Sequence, residues 1–87
     1  MPPDEPWTGD SLALLAALGG RDNVRTVDTA ASRLRISVGD AARIDRPALA
    51  GLGLRGVAVP LPDCVHLIVG PAAAAAGSAL RRLLTRD

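Results

Sequence analysis

The chain has 87 residues, 10 basic against 9 acidic side chains, and a formal net charge of +1. That length makes one small domain, and the charge balance excludes a polyanion-binding surface of the kind that tracks nucleic acid or clings to anionic membranes. All ten basic residues are arginine, Phe and Tyr are absent, and Cys64 is the single cysteine, so the core must be aliphatic and neither an internal disulfide nor a Cys/His zinc spacing is available.

Residues 1 to 7, acidic and proline-rich, read as a flexible N-terminal tail unlike a secretory leader; residues 8 to 87 form the single folded unit. Thr8 is placed to cap a helix over residues 9 to 18, with Trp7 and Leu12 at hydrophobic-staple spacing and Leu14, Leu15 and Leu18 on its inner side. Gly19 and Gly20 stop it. Residues 23 to 29 have strand composition. Residues 32 to 38 are clearer: Leu34, Ile36 and Val38 alternate with Arg33, Arg35 and Ser37, the pattern of a strand buried on one face and polar on the other. The segment between these runs is only two or three residues long, which predicts a hairpin with Ala30 in its turn.

After a loop over residues 39 to 44, Asp45 caps a second helix with Pro47 in its first turn and Gly53 as its stop. Residues 56 to 59 are a third strand. Pro60 and Pro62 bracket a turn, since proline removes a ladder donor. Residues 65 to 69 are a fourth strand in which His66 is out of phase with Val65, Leu67 and Val69 and so faces the polar side. Gly70 and Pro71 open a third helix whose buried stripe is Leu80, Leu83 and Leu84. The order αββαββα predicts an α+β fold of two layers: a four-stranded antiparallel sheet with three helices on one face. No apolar run approaches the roughly 20 residues that span a bilayer.

At this point the chain resembles a known family. The stretches LLAALGGRDNVRTVD, SRLRISVGD, ALAGLGLRGVAV and VHLIVGP are similar to the IIB domain of the glucose and glucoside branch of the bacterial sugar phosphotransferase system, over about residues 11 to 84. The most specific signature of that family is a cysteine, a small or apolar residue, Thr, Arg, Leu and Arg. Arg33, Leu34 and Arg35 match it outright, Ser32 keeps the hydroxyl of the threonine, Ala31 takes the variable place, and Ala30 stands where the family has its cysteine. The resemblance implies a phosphocarrier without a cofactor or metal. Its cysteine accepts a phosphoryl group from a histidine of an enzyme IIA partner and passes it to a sugar held by the membrane-embedded IIC partner, which places the domain in the cytoplasm at the inner face of the membrane.

That chemistry explains the residues. A thiolate is the nucleophile, and arginines and backbone N–H groups lower its pKa, then cradle the thiophosphate and the charge of the transferring group. On this resemblance Ala31, Ser32, Arg33 and Arg35 are the phosphate-binding residues and Ala30 is the catalytic position with its nucleophile lost. Ser32 has no base beside it in sequence, and Cys64 and His66 do not match the signature. The tight turn PLPDC replaces the small, glycine-rich turn usual before the fourth strand. Two accounts of Ala30 stand: a degenerate module that has lost phosphocarrier chemistry, or an alanine introduced where the natural protein has cysteine. The alternative outside this family is a small α+β module that binds RNA or another protein; the scarcity of aromatics and the balanced charge argue against RNA.

Overall fold

The computed structural model describes residues 9 to 85. The tail expected at residues 1 to 7, with Trp7 and the proposed cap Thr8, lies outside the described residues. The first helix, α1 (Ser11–Ala17), is capped instead by Asp10, whose side chain accepts from the N–H groups of Leu12 at 3.0 Å and Ala13 at 3.1 Å. A carboxylate that meets two orphan donors at once fixes the start two residues later than expected. Leu12 then lies at the second helical position and is 65% exposed, so the staple spacing does not apply. Leu14, Leu15 and Leu18 are buried as expected. Gly19 and Gly20 both have positive φ, +101° and +87°. Their N–H groups donate to the carbonyls of Ala16 and Leu15, which closes the helix in a Schellman motif.

Strands β1 (Val24–Ala30) and β2 (Arg33–Val38) form the expected hairpin, followed by a single 3₁₀ turn, Ala41–Arg43, that carries the buried Ile44. Helix α2 (Arg46–Ala50) is capped by Asp45, with Pro47 in its first turn. It ends at Gly51, before the expected Gly53, which sits in the following turn at φ +78°. Strand β3 (Gly56–Leu61) runs through Pro60, contrary to the expected turn there; the turn is made by Pro62 and Asp63. Proline is tolerated because β3 is an edge strand and the register shifts between Ala58 and Leu61. Strand β4 (Cys64–Ile68) leads to helix α3 (Ala73–Thr85).

The sheet is antiparallel throughout, in the order β1-β2-β4-β3, so β2 and β4 are the central strands. One face carries Val27, Leu34, Ile36, Val38, Val65 and Leu67, all buried. The helices cover it: α3 packs on β1 and β2, α2 on β3, and α1 on the other two helices. The other face is open and bears Arg33, Arg35 and His66. This is the two-layer α+β arrangement read from the sequence.

Two details hold the layers in place. The stripe that α3 buries is Ala73, Ala76, Gly77 and Leu80, with Leu83 and Leu84 only partly covered. Small residues at the helix centre let it approach the sheet closely. A Cβ on Gly77 would lie 2.6 Å from Oγ1 of Thr29 and 3.1 Å from Leu34. At the opposite end of the molecule Asn23 is fully buried. Its amide donates to the carbonyls of Leu18 at 2.7 Å and Asp40 at 3.1 Å and accepts from the N–H of Asp40 at 2.9 Å. It thereby joins the end of α1 to the loop after β2.

Gly77→Ala is expected to destabilise the fold by about 1 to 2 kcal/mol, because the steric cost exceeds the gain of about 1 kcal/mol in helix propensity. Thr29→Ala in the same chain should recover most of that loss; urea denaturation of the two single variants and the double variant checks the coupling. Asn23→Ala should cost about 2 to 3 kcal/mol, since it strips the buried Leu18 carbonyl of its side-chain donor and breaks two bonds to the Asp40 backbone. It should appear as a lower urea midpoint at an unchanged slope.

Candidate functional site

The β1–β2 hairpin is joined by two residues, Ala31 and Ser32, and Ala30 is the last residue of β1, directly paired with Arg33. Ala30 therefore sits at the strand end beside the turn, one residue earlier than the turn position expected. Ala31 has φ +54°, alone in this respect among the described non-glycine residues. A two-residue hairpin loop needs positive φ at its first central position to match the twist of the strands. An alanine there carries a strain of about 1 kcal/mol. The turn is held from the other side: the Ser32 carbonyl accepts from the N–H groups of Val69 at 2.9 Å and Gly70 at 2.8 Å, in the connection from β4 to α3. Ala30, Ala31, Ser32, Arg33 and Arg35 are all exposed, so the five residues singled out from the sequence form one accessible group at one end of the sheet.

The register of the four strands arranges the open face in rows. Ala30, Arg33, Ile68 and Gly56 lie side by side; next come Asp28, Arg35, His66 and Ala58; next Thr26, Ser37, Cys64 and Leu61. Rows are about 7 Å apart, two residues along a strand. His66 is thus the direct neighbour of Arg35, a juxtaposition that alternation within one strand could not reveal, since it depends on β2 pairing with β4. Cys64 lies two rows from Ala30 and two strands across. Its thiol and the Ala30 methyl occupy different parts of the face. Among the described residues the side chains of Arg33, Arg35 and His66 make no hydrogen bond or ion pair.

Arg55 is a further cationic residue that the sequence did not single out. A Cβ on Gly70 would lie 2.8 Å from the guanidinium carbon of Arg55, so the guanidinium rests against a glycine at φ +90°. Arg55 N–H also donates to the Ile68 carbonyl at 2.8 Å. The arginine therefore borders the same β4–α3 connection that grips Ser32. The signal for it was faint, a lone arginine between glycines in a chain where arginine is the only strong base.

The chemistry open to this group is that of an anion cradle. Two guanidinium forks project from one strand face beside a tight turn, and fork geometry matches paired phosphate oxygens. At the turn itself Ala30 offers only a methyl group, and Ser32 has no base among its neighbours in the hairpin. Among the described residues no group of three or more His, Cys, Asp or Glu side chains could hold a metal ion, and no helix is long and apolar enough to cross a membrane.

Residues 13–45 match the family described as phosphotransferase system, EIIB. The matched stretch contains the whole β1–β2 hairpin. The chain is 34% identical over 83 residues to an N-acetylglucosamine-specific EIICBA component of the phosphotransferase system from Klebsiella pneumoniae, covering 95% of this chain and 13% of the relative. It is 35% identical over 72 residues to the component of the same name from Escherichia coli, covering 83% of this chain and 11% of the relative. An N-acetylglucosamine-specific EIICB component from Bacillus subtilis is 38% identical over 68 residues, covering 78% of this chain and 15% of the relative. The chain thus spans only a small fraction of the length of the relatives it matches. The hairpin that presents Ala30, Ser32, Arg33 and Arg35, the αββαββα order and these similarities agree: the chain belongs to the EIIB phosphocarrier domains of the bacterial sugar phosphotransferase system.

Proposed function

We propose that this chain is an EIIB module that keeps the phosphate cradle of its family and has lost the covalent step. The observation that carries the reading is the methyl of Ala30 at the end of β1, paired with Arg33, where the family resemblance places the phosphocysteine. In a competent domain the thiolate attacks the phosphorus of a phosphohistidine, the N–P bond breaks as the S–P bond forms, and the imidazole leaves as a neutral ring after taking up a proton. No atom of Ala30 can form the S–P bond. Ala31, Ser32, Arg33 and Arg35 remain in place around the vacant role, and they favour binding of a phosphoryl group without its capture.

The partners that fit are an enzyme IIA, as phosphoryl donor, and a membrane IIC, as the site of the sugar. Support comes from the relatives, N-acetylglucosamine-specific components named as EIICBA, which join EIIC, EIIB and EIIA in one protein. A domain working between those two partners acts at the cytoplasmic side of the membrane. The module would occupy the docking surface of either partner without turnover and so dampen transfer through active copies. An unrelated RNA- or protein-binding module gives way to the family assignment.

The test is incubation with a phosphorylated IIA protein followed by intact-mass measurement. The chain with Ala30 should gain no phosphoryl group, and Ala30→Cys should gain one. Phosphoryl uptake by the unsubstituted chain would overturn the inactive-site reading. Failure of Ala30→Cys with several IIA partners would overturn the intact cradle. In the Ala30→Cys background, Arg33→Ala should slow onward transfer by about a hundredfold, the scale seen when one charge-stabilising donor is removed.

A further inference from the structure

Several arginines of this chain rest on backbone, and Arg55 differs from the others in what it does there. Arg21, Arg43 and Arg81 donate from their guanidinium groups to the carbonyls of Leu84, Gly19 and Val27. Arg55 is held as closely, yet it donates to nothing. Its backbone N–H is bonded to the Ile68 carbonyl at 2.8 Å. Its guanidinium lies against Gly70, where a Cβ would come within 2.8 Å of the guanidinium carbon and 3.0 Å of Nε. The side chain makes no hydrogen bond or ion pair among the described residues, and the residue is exposed. An exposed arginine normally loses rotamer freedom when it meets a partner. Here the backbone and the tip are both placed beforehand, and all the side-chain donors are still available. Gly70 also fixes where the charge stands. Its N–H donates to the Ser32 carbonyl at 2.8 Å, so the guanidinium carbon lies within about 9 Å of that oxygen, at the turn end of the sheet.

We infer that Arg55 is a third cation of the anion site, acting on a negative group at position 30 from the β3 side through its field. The inference rests on the cradle reading and adds a residue that lies outside the turn signature. Arg33 is the direct cross-strand neighbour of Ala30, and Arg35 stands one row further along β2. Both approach from the open face. Arg55 approaches past the end of β4, so an anion at position 30 has positive charge on two sides. The row nearest the turn, Ala30, Arg33, Ile68 and Gly56, carries no carboxylate to offset it. A charge about 10 Å away in largely aqueous surroundings acts more weakly than one on the adjacent strand, and salt screens it more fully. Arg55 is therefore the weaker and more salt-sensitive partner of Arg33.

The reporter is the thiol introduced by Ala30→Cys in the full chain, with Cys64→Ala leaving it the only thiol present. The pH midpoint of its alkylation by iodoacetamide reads the local potential, since the thiolate is the reacting form. At about 10 mM salt Arg55→Gln should raise the midpoint by about 0.3 pH unit, and Arg33→Gln by about 0.7, because each removes a charge that favours thiolate. Arg55→Lys keeps the charge and should leave the midpoint in place. Salt at about 1 M should abolish the effect of Arg55→Gln. A midpoint that Arg33→Gln moves and Arg55→Gln does not would overturn the role of Arg55 and leave the cradle standing. A midpoint that neither moves would overturn the cradle itself. A shift that persists at about 1 M salt, or that Arg55→Lys reproduces, would show a structural effect and overturn the inference as well.

Discussion

The pairing of β2 with β4 is the constraint on which the rest depends. These are the two central strands, and they place Leu34 opposite Leu67 and Ile36 opposite Val65 on the buried face, all four fully covered. Side chains alternate along a strand, so a slip of one residue in β2 would send Leu34 and Ile36 into water and bring Arg33 and Arg35 under the helices. Each buried side chain of this size stabilises by about 1.5 to 3 kcal/mol relative to exposure, and an unpaired buried guanidinium costs several kcal/mol more. The register is therefore set by the core, and the position of the arginines on the open face follows from it without any contribution from a ligand.

The same pairing holds the turn. β2 begins at Arg33 next to Ile68, the last residue of β4, so the chain leaving β4 passes Ser32 and donates two N–H groups to its carbonyl. Those bonds help to maintain a strained residue, Ala31, at positive φ. On the far side α3 bears on β1 through Gly77 and Thr29, and Arg81 donates from Nε and a terminal nitrogen to the Val27 carbonyl on that edge strand, at 2.9 and 2.7 Å. A charged side chain over an exposed strand edge also blocks pairing with another chain. The hairpin is thus braced on both sides, and any site built on it is preorganised.

Much of this was legible in the sequence because it rests on short-range rules. Alternation over residues 33 to 38 identified β2 and its open face, and Asp45 with Pro47 marked the start of α2. The misjudged points arise where local signals compete or where tertiary contacts decide. Thr8 and Asp10 are both good caps, and only the bonds to Leu12 and Ala13 choose between them. Pro60 reads as a strand breaker, yet an edge strand with a shifted register accommodates it. Of the leucines expected as the buried stripe of α3 only Leu80 is fully covered, because close approach to β1 selects Ala73, Ala76 and Gly77 beside it. Asn23 carries no periodic signal: its role comes from three backbone partners far apart in the chain. Family resemblance singles out the turn residues as candidates, but the Arg35–His66 neighbour relation requires the strand order, and Arg55 requires the contact with Gly70.

Catalysis and binding separate cleanly in such a site because they rely on different levels of structure. Under the proposed function the covalent step would depend on one atom at position 30, and a substitution there would cost folding little, since Ala30 is exposed at a strand end. The cradle depends on residues interleaved with the core: Arg33 and Arg35 flank Leu34, and Ser32 is tied through its backbone to the entry of α3. Their side chains can drift in sequence, but their direction cannot change while Leu34 and Ile36 stay buried. The core therefore keeps a cationic, outward-facing group at a fixed place, whatever residue stands at position 30.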